Sequence, residues 1–165
     1  MLKEIRNRRS IRQYSDREIT KRQLTNLLKA AMRSPTAMNT QCWRFIAIRD
    51  RKVLKEIKDL AAYTKMLDKA SAAIVILADT TLTHKEFCYT DTSAAAENIL
   101  LEAVHEGFGG CWCAIAPSKE RIDNYRKYFK LPKKMLPCCV ISLGYPKEDK
   151  EAEDRYDEGK ITWVE

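Results

Sequence analysis

No long hydrophobic run occurs in this sequence. The longest, Ala72 to Ala78, is far too short to cross a bilayer. Nor is there a secretory leader, because Met1-Leu2-Lys3-Glu4 runs into charged residues instead of an apolar segment. A cytoplasmic location with no membrane partner is the resulting expectation. No CxxC pair exists among the six cysteines (Cys42, Cys88, Cys111, Cys113, Cys138, Cys139), and a disulfide framework does not suit that compartment. A metal or iron–sulfur centre built from Cys111, Cys113, Cys138 and Cys139 is disfavoured, since adjacent residues on a strand point to opposite faces. Core packing, where free cysteine behaves as a small hydrophobe, is the better reading. Histidine is scarce: His84 falls in a polar loop and His105 near a helix end, and neither reads as a catalytic base. A basic stripe is also missing. The formal charge of +7 favours anionic partners, but Lys and Arg are scattered, which argues against nucleic acid. No GxGxxG follows a strand, because Gly107-Phe108-Gly109-Gly110 has the wrong spacing, and a Rossmann dinucleotide site is excluded with it.

What is present centres on Asp91 to Ile115. Asp91, Thr92 and Ser93 are helix-capping residue types. Ala95, Ile99 and Ala103, with Ala96, Leu100 and Val104, then make more than one face apolar. A helix greasy on several sides is normally buried. It should stop at Gly107. Gly109 and Gly110 then leave an open, ligand-accessible turn before the strand Cys111 to Ile115.

Elsewhere, Leu2 to Arg9 reads as a short helix running into a knot of Arg6, Arg8, Arg9, Ser10 and Arg12. Four guanidiniums this close repel unless an anion sits among them. A phosphate fits, with forked N–H bonds from arginine and a hydroxyl bond from serine. Solvated basic surface is the competing reading. Thr20 caps a helix carrying Leu24, Leu27, Leu28 and Ala31, broken at Ser34-Pro35. The small, polar stretch Ser34 to Gln41 would let a flat ligand approach the backbone, and Cys42 to Ile48 reads as a strand. Asp50 to Leu60 suggests a helix, Tyr63 to Lys69 an undecided connection, and Ala72 to Ala78 a buried strand. Ser118 caps a helix through Phe129. Pro132 and Pro137 bracket a loop before a last core strand, Cys138 to Leu143. Helices and strands mix without strict alternation, which favours α+β. One domain, 1–165, is expected, with 146–165 as an extended, charge-rich tail.

Four landmarks are arranged in order along nearly the whole chain: Arg8-Arg9-Ser10-Ile11-Arg12-Gln13-Tyr14, then Ser34-Pro35-Thr36-Ala37-Met38-Asn39-Thr40-Gln41-Cys42-Trp43, then Gly107-Phe108-Gly109-Gly110-Cys111-Trp112, then Leu143-Gly144-Tyr145-Pro146. Together they resemble the nitroreductase family of FMN-dependent oxidoreductases. The resemblance implies a central mixed or antiparallel sheet flanked by helices, a homodimer with FMN at the interface, and a C-terminal segment wrapped onto the partner subunit. It places the FMN phosphate on Arg8, Ser10 and Arg12, with Arg9 nearby and Arg155 reaching in from the tail. It has Pro35, Thr36, Ala37 and Asn39 line the flavin from the partner subunit. Cys113, Ala114 and Ile115 should pass beside the reactive ring edge, with an N–H aimed at a ring nitrogen. It also implies NADH or NADPH as donor and a nitroaromatic or quinone acceptor, exchanged in ping-pong fashion. The alternative is a flavin-binding module for storage or sensing. Two positions depart from the family pattern: Cys42 replaces a proline, and Ala114-Ile115 replaces Gly-Gly.

Overall fold

Strand β2 (Ala72–Asp79) is buried along its whole length, and its alternation divides the molecule. In the computed structural model, which describes every residue except 149, 150 and 152, β2 pairs antiparallel with β1 (Trp43–Ile48) on one side. On the other it pairs with β4 (Met135–Gly144), which in turn pairs with β3 (Gly109–Ala114). The order β1-β2-β4-β3 leaves β1 and β3 as edges. Helices α1 (Lys3–Asn7), α2 (Lys21–Ala31), α3 (Arg51–Ile57), α4 (Lys85–His105) and α5 (Lys119–Phe129) complete an α+β architecture.

Side chains alternate across a strand, and the two cores follow from that. Ala73, Val75 and Leu77, with Cys111, Cys113, Cys138 and Val140, pack under Leu54 and Ile57 of α3 and Ile122 and Tyr125 of α5. Ala72, Ile74 and Ile76, with Cys139, Ile141 and Leu143, pack under Leu24 and Leu27 of α2 and Ala95, Ala96 and Ile99 of α4. Cys138 and Cys139 thus point to opposite faces, and all six cysteines are buried free thiols. Each fully buried Val, Leu or Ile contributes about 1.5–3 kcal/mol.

The capped helices form where their capping residues stand. Thr20 and Gln23 build a reciprocal capping box at α2, Asp50 accepts from Lys52 and Val53 at α3, and Ser118 accepts from Arg121 at α5. Helix α4 differs. It begins at Lys85, nearly two turns before the expected Asp91, and His84 at its start makes no capping bond. Thr92 donates to the Cys88 carbonyl at 2.6 Å, and the Asp91 carboxylate accepts from the Ala37 N–H at 3.2 Å. Their side-chain oxygens therefore serve other partners, and both residues are buried in the middle of the helix.

The last strand also starts early. Pro137 lies inside β4, not in a loop, at a register shift opposite Ile76 and Leu77. A proline has no ladder donor and is tolerated in a sheet at such a bulge. The Cys138 carbonyl accepts from both Ile115 and Ala116 there, at 3.0 Å each.

The glycine pair is not an open turn. Gly107 makes the turn, with φ of 83°, while Gly109 and Gly110 begin β3 and are buried. A Cβ on Gly109 would come within 2.6 Å of Ile11, and one on Gly110 within 2.7 Å of the Ser142 carbonyl. Their bareness lets residues 10 and 11 lie flat on the sheet edge. Ser10 forms a parallel bridge to Gly110, and the Ile11 N–H donates to the Gly110 carbonyl at 3.0 Å.

Candidate functional site

The N-terminal arginines are sorted by this docking. Helix α1, shorter than expected, leans on α4, with Glu4 3.2 Å from His105 Nδ1. That hydrogen bond raises the His105 pKa and helps lower that of Glu4. Arg8 Nε meets Glu97 Oε1 at 3.0 Å, and the Arg9 guanidinium donates to the Asn7 carbonyl at 2.7 Å. Arg12 is held by its backbone, whose N–H donates to Glu148 Oε1 at 2.8 Å. Its guanidinium meets no carboxylate among the described residues and opens instead into a cavity.

That cavity, about 390 Å³, lies along the free edge of β3. One wall is Cys111, Trp112, Cys113 and Ala114; the other is the segment 61–66, including Tyr63, Lys65 and Met66. Cys113 Sγ is 3.8 Å from Met66 Sδ, and a hydrogen bond with the Cys111 thiol, together with desolvation, pushes the Cys113 pKa well up. The two sulfurs give the cavity a soft floor. Parity decides which N–H groups face the opening. The Ile115 N–H is committed to Cys138, while the Ala114 carbonyl points outward to accept from Arg121 at 3.0 Å. In an antiparallel strand the N–H and C=O of one residue point the same way, so Trp112 and Ala114 present theirs to the edge. Of the three residues expected at the ring edge, Cys113 and Ala114 line the cavity. Ile115 is fully buried in the core instead.

The second group lies elsewhere in the chain. Residues Ala37–Asn39 form a single 3-10 turn, with Met38, Asn39 and Gln41 at φ of 51°, 54° and 49°. Left-handed backbone is unfavourable for Met and Gln, and it persists because the loop is tied down. Asp91, buried under the loop, takes the Ala37 N–H, the Thr36 hydroxyl takes the Gln41 N–H, and Gln41 donates to the Asn39 side chain. Pro35, Thr36, Ala37 and Asn39 are therefore gathered on one rigid, partly exposed hairpin. It adjoins Cys42, whose carbonyl accepts from Asp79 at the far end of β2. Ser10, by contrast, reaches β2 at Ala72, through Gly110 and Leu143. Seven strand residues separate those points, about 23 Å, and the two groups flank opposite edges of the sheet. One chain does not bring them together.

Arg155 joins neither group. It stands on the exposed tail, 3.6 Å from Glu153. Residues 149, 150 and 152 of that tail lie outside the described residues. Sequence reasoning missed Tyr63, Lys65, Met66 and Arg121. No local pattern marks them, since the packing of 61–66 and of the first turn of α5 beside β3 brings them to the cavity.

The antiparallel α+β fold presents a cationic cavity along one edge strand, lined by Arg12, Lys65 and Arg121. Comparison with known proteins narrows the class. The family model described as "Nitroreductase family" matches residues 5–65 and 60–145. An Archaeoglobus fulgidus protein, provisionally named NADH dehydrogenase/NAD(P)H nitroreductase, is 44% identical over 97% of this chain and 95% of its own. A Clostridium acetobutylicum structure, provisionally named NADH oxidase, superposes with a TM-score of 0.93 at 40% identity, covering 96% of this chain and 97% of that one. A Clostridium difficile FMN-dependent nitroreductase gives a TM-score of 0.93 at 31% identity, covering 100% and 99%. The chain belongs to the Nitroreductase family.

Proposed function

We propose that the protein is an FMN-dependent oxidoreductase, moving two electrons from NADH or NADPH to a nitroaromatic or quinone, as a homodimer that builds FMN sites between its subunits. The observation carrying this reading is that Ser10, at the Arg12 end of the β3-edge cavity, lies about 23 Å of strand away from the Pro35–Asn39 loop, which flanks the opposite edge of the sheet. Each is half of a site, and two copies can juxtapose what one cannot. The family relationship and the FMN-dependent C. difficile relative support the cofactor. So does the fit: a guanidinium with no carboxylate among the described residues, a soft floor and edge-facing N–H groups suit a planar ring ending in a phosphate.

Bound FMN would supply the redox chemistry, the overall change being NAD(P)H + H⁺ + quinone to NAD(P)⁺ + hydroquinone, with donor and acceptor visiting in turn. The chain's own residues bind and orient. Arg8, Ser10 and Arg12, with Arg9 beside them, hold the phosphate end. The N–H groups of Trp112 and Ala114 face the ring edge, where hydrogen bonds stabilise charge on a reduced ring. The partner's copy of the hairpin, with Pro35, Thr36, Ala37 and Asn39, covers the opposite side. Neither histidine lines the cavity.

Exposed apolar side chains support a second copy. Met38 is 74% exposed on the hairpin, Leu2 and Ile5 protrude from α1, and Trp163 is 72% exposed on the tail. In this reading residues 1–165 form one domain whose 146–165 segment lies across its partner, where Arg155 can meet the cofactor.

The test is an absorbance spectrum of the purified protein followed by anaerobic titration. A yellow protein bleached by NADH or NADPH and recoloured by a quinone is expected. Yellow protein that neither donor bleaches would instead mark a flavin-storage module.

A further inference from the structure

The cavity carries two cations, Lys65 and Arg121, beyond the one that the cofactor's phosphate explains. Its charged lining residues are Arg12, Lys65 and Arg121, with no carboxylate among them. Arg12 belongs with Ser10 and the phosphate end. Arg121 stands at the other end of β3, its guanidinium donating to the Ala114 carbonyl at 3.0 Å, whereas Ser10 is bridged to Gly110. Four strand residues separate them, about 13 Å, beyond the ~8 Å over which charges act through physiological salt. A phosphate on Arg8, Ser10 and Arg12 therefore leaves Arg121 uncompensated. The side chain is half-buried, has no acidic partner among the described residues, and uses only one edge of its fork on Ala114. Beside it, 5.8 Å from the guanidinium carbon, lies the ring of Tyr63, which is 74% exposed.

A cation with a free fork next to a bare aromatic face recognises a flat aromatic anion: the ring lies along Tyr63 and the carboxylate takes paired N–H bonds. Resting on the flavoenzyme reading above, we propose that Arg121 selects the electron acceptor, favouring nitroaromatics or quinones with a carboxylate on the ring. The nicotinamide donor carries its phosphates beyond a ribose, away from its reacting ring. A ring carboxylate lies within reach of a guanidinium fixed at the ring edge.

Two readouts test it on the protein as purified. Quenching of the protein's tryptophan fluorescence, to which the cavity-lining Trp112 contributes, gives dissociation constants for 4-nitrobenzoate and its neutral isostere 4-nitrobenzamide, and steady-state turnover gives kcat/KM for both. Wild type should bind the carboxylate at least about tenfold more tightly, with the preference shrinking as salt rises. Arg121→Gln should abolish the preference, acting through KM more than kcat, and Arg121→Lys should restore part of it, since lysine keeps the charge but not the fork. Equal affinity of wild type for the two ligands would overturn the proposal. So would a preference that survives in Arg121→Gln. A colourless protein would sink the flavin reading alone, because the ratio of binding constants still decides what Arg121 does.

Discussion

Arginines 8, 9 and 12 share a motif but not an environment, and of the three only Arg12 lines the cavity, its guanidinium meeting no carboxylate among the described residues. A charge-assisted hydrogen bond contributes about 1.5–3 kcal/mol, which corresponds to about 10- to 150-fold in affinity. Arg12→Ala should therefore weaken FMN retention by about that factor, measured as cofactor lost on gel filtration, while Lys3→Ala, on exposed α1, should not. Asp79 permits a second forecast. Hydrogen bonds from Thr81, aided by Lys134 at 3.1 Å, hold its carboxyl at a pKa of about 2. A depressed folded-state pKa stabilises the protein above the unfolded value near 4, and the contribution is lost as pH falls through about 2. Asp79→Asn should thus be less stable than wild type at neutral pH, with the gap in denaturation midpoint closing toward pH 2. At this scale short motifs drew attention to Ser10, docked on the β3 edge, and to Arg12, Cys113 and Ala114, which line the cavity. Tyr63 and Arg121 were invisible, because their neighbours are 50 and 7 residues away along a path only the folded chain defines.

Among the elements, those with local caps were legible at their starts: α2 behind Thr20, α5 behind Ser118, and α3 behind Asp50, although α3 ends at Ile57, three residues before the expected Leu60. The start of α4 was not. Asp91 and Thr92 look like caps, yet their side chains have other partners, Asp91 the Ala37 N–H of a distant loop and Thr92 the carbonyl one turn back in the same helix. The Gly109-Gly110 pair misled in a related way. Bare backbone invites close approach, but the visitor is this chain's own Ile11 rather than a ligand. Gly144 shows the same device. A Cβ there would stand 2.5 Å from the Tyr14 ring, whose hydroxyl donates to the Ile11 carbonyl at 2.6 Å and lies 2.8 Å from Ser142 Oγ. Forcing a methyl into such a packed contact costs about 1–3 kcal/mol. Gly144→Ala should lower the urea midpoint accordingly and loosen the docked 10–14 segment, so that FMN retention falls with it.

For the molecule as a whole, the α+β class and the flanking helices followed from the pattern of the sequence. The sheet order and the separation of the two half-sites did not, because register is set by pairing partners far apart in the chain. That separation gives the account its central claim: a flavin site complete only when two chains meet. Sedimentation velocity, followed at once by protein and by flavin absorbance, tests it most directly. The account predicts that flavin travels only with a dimer, one FMN per chain, and that dilution to monomer releases it. A monomer sedimenting with its flavin still bound would contradict the account.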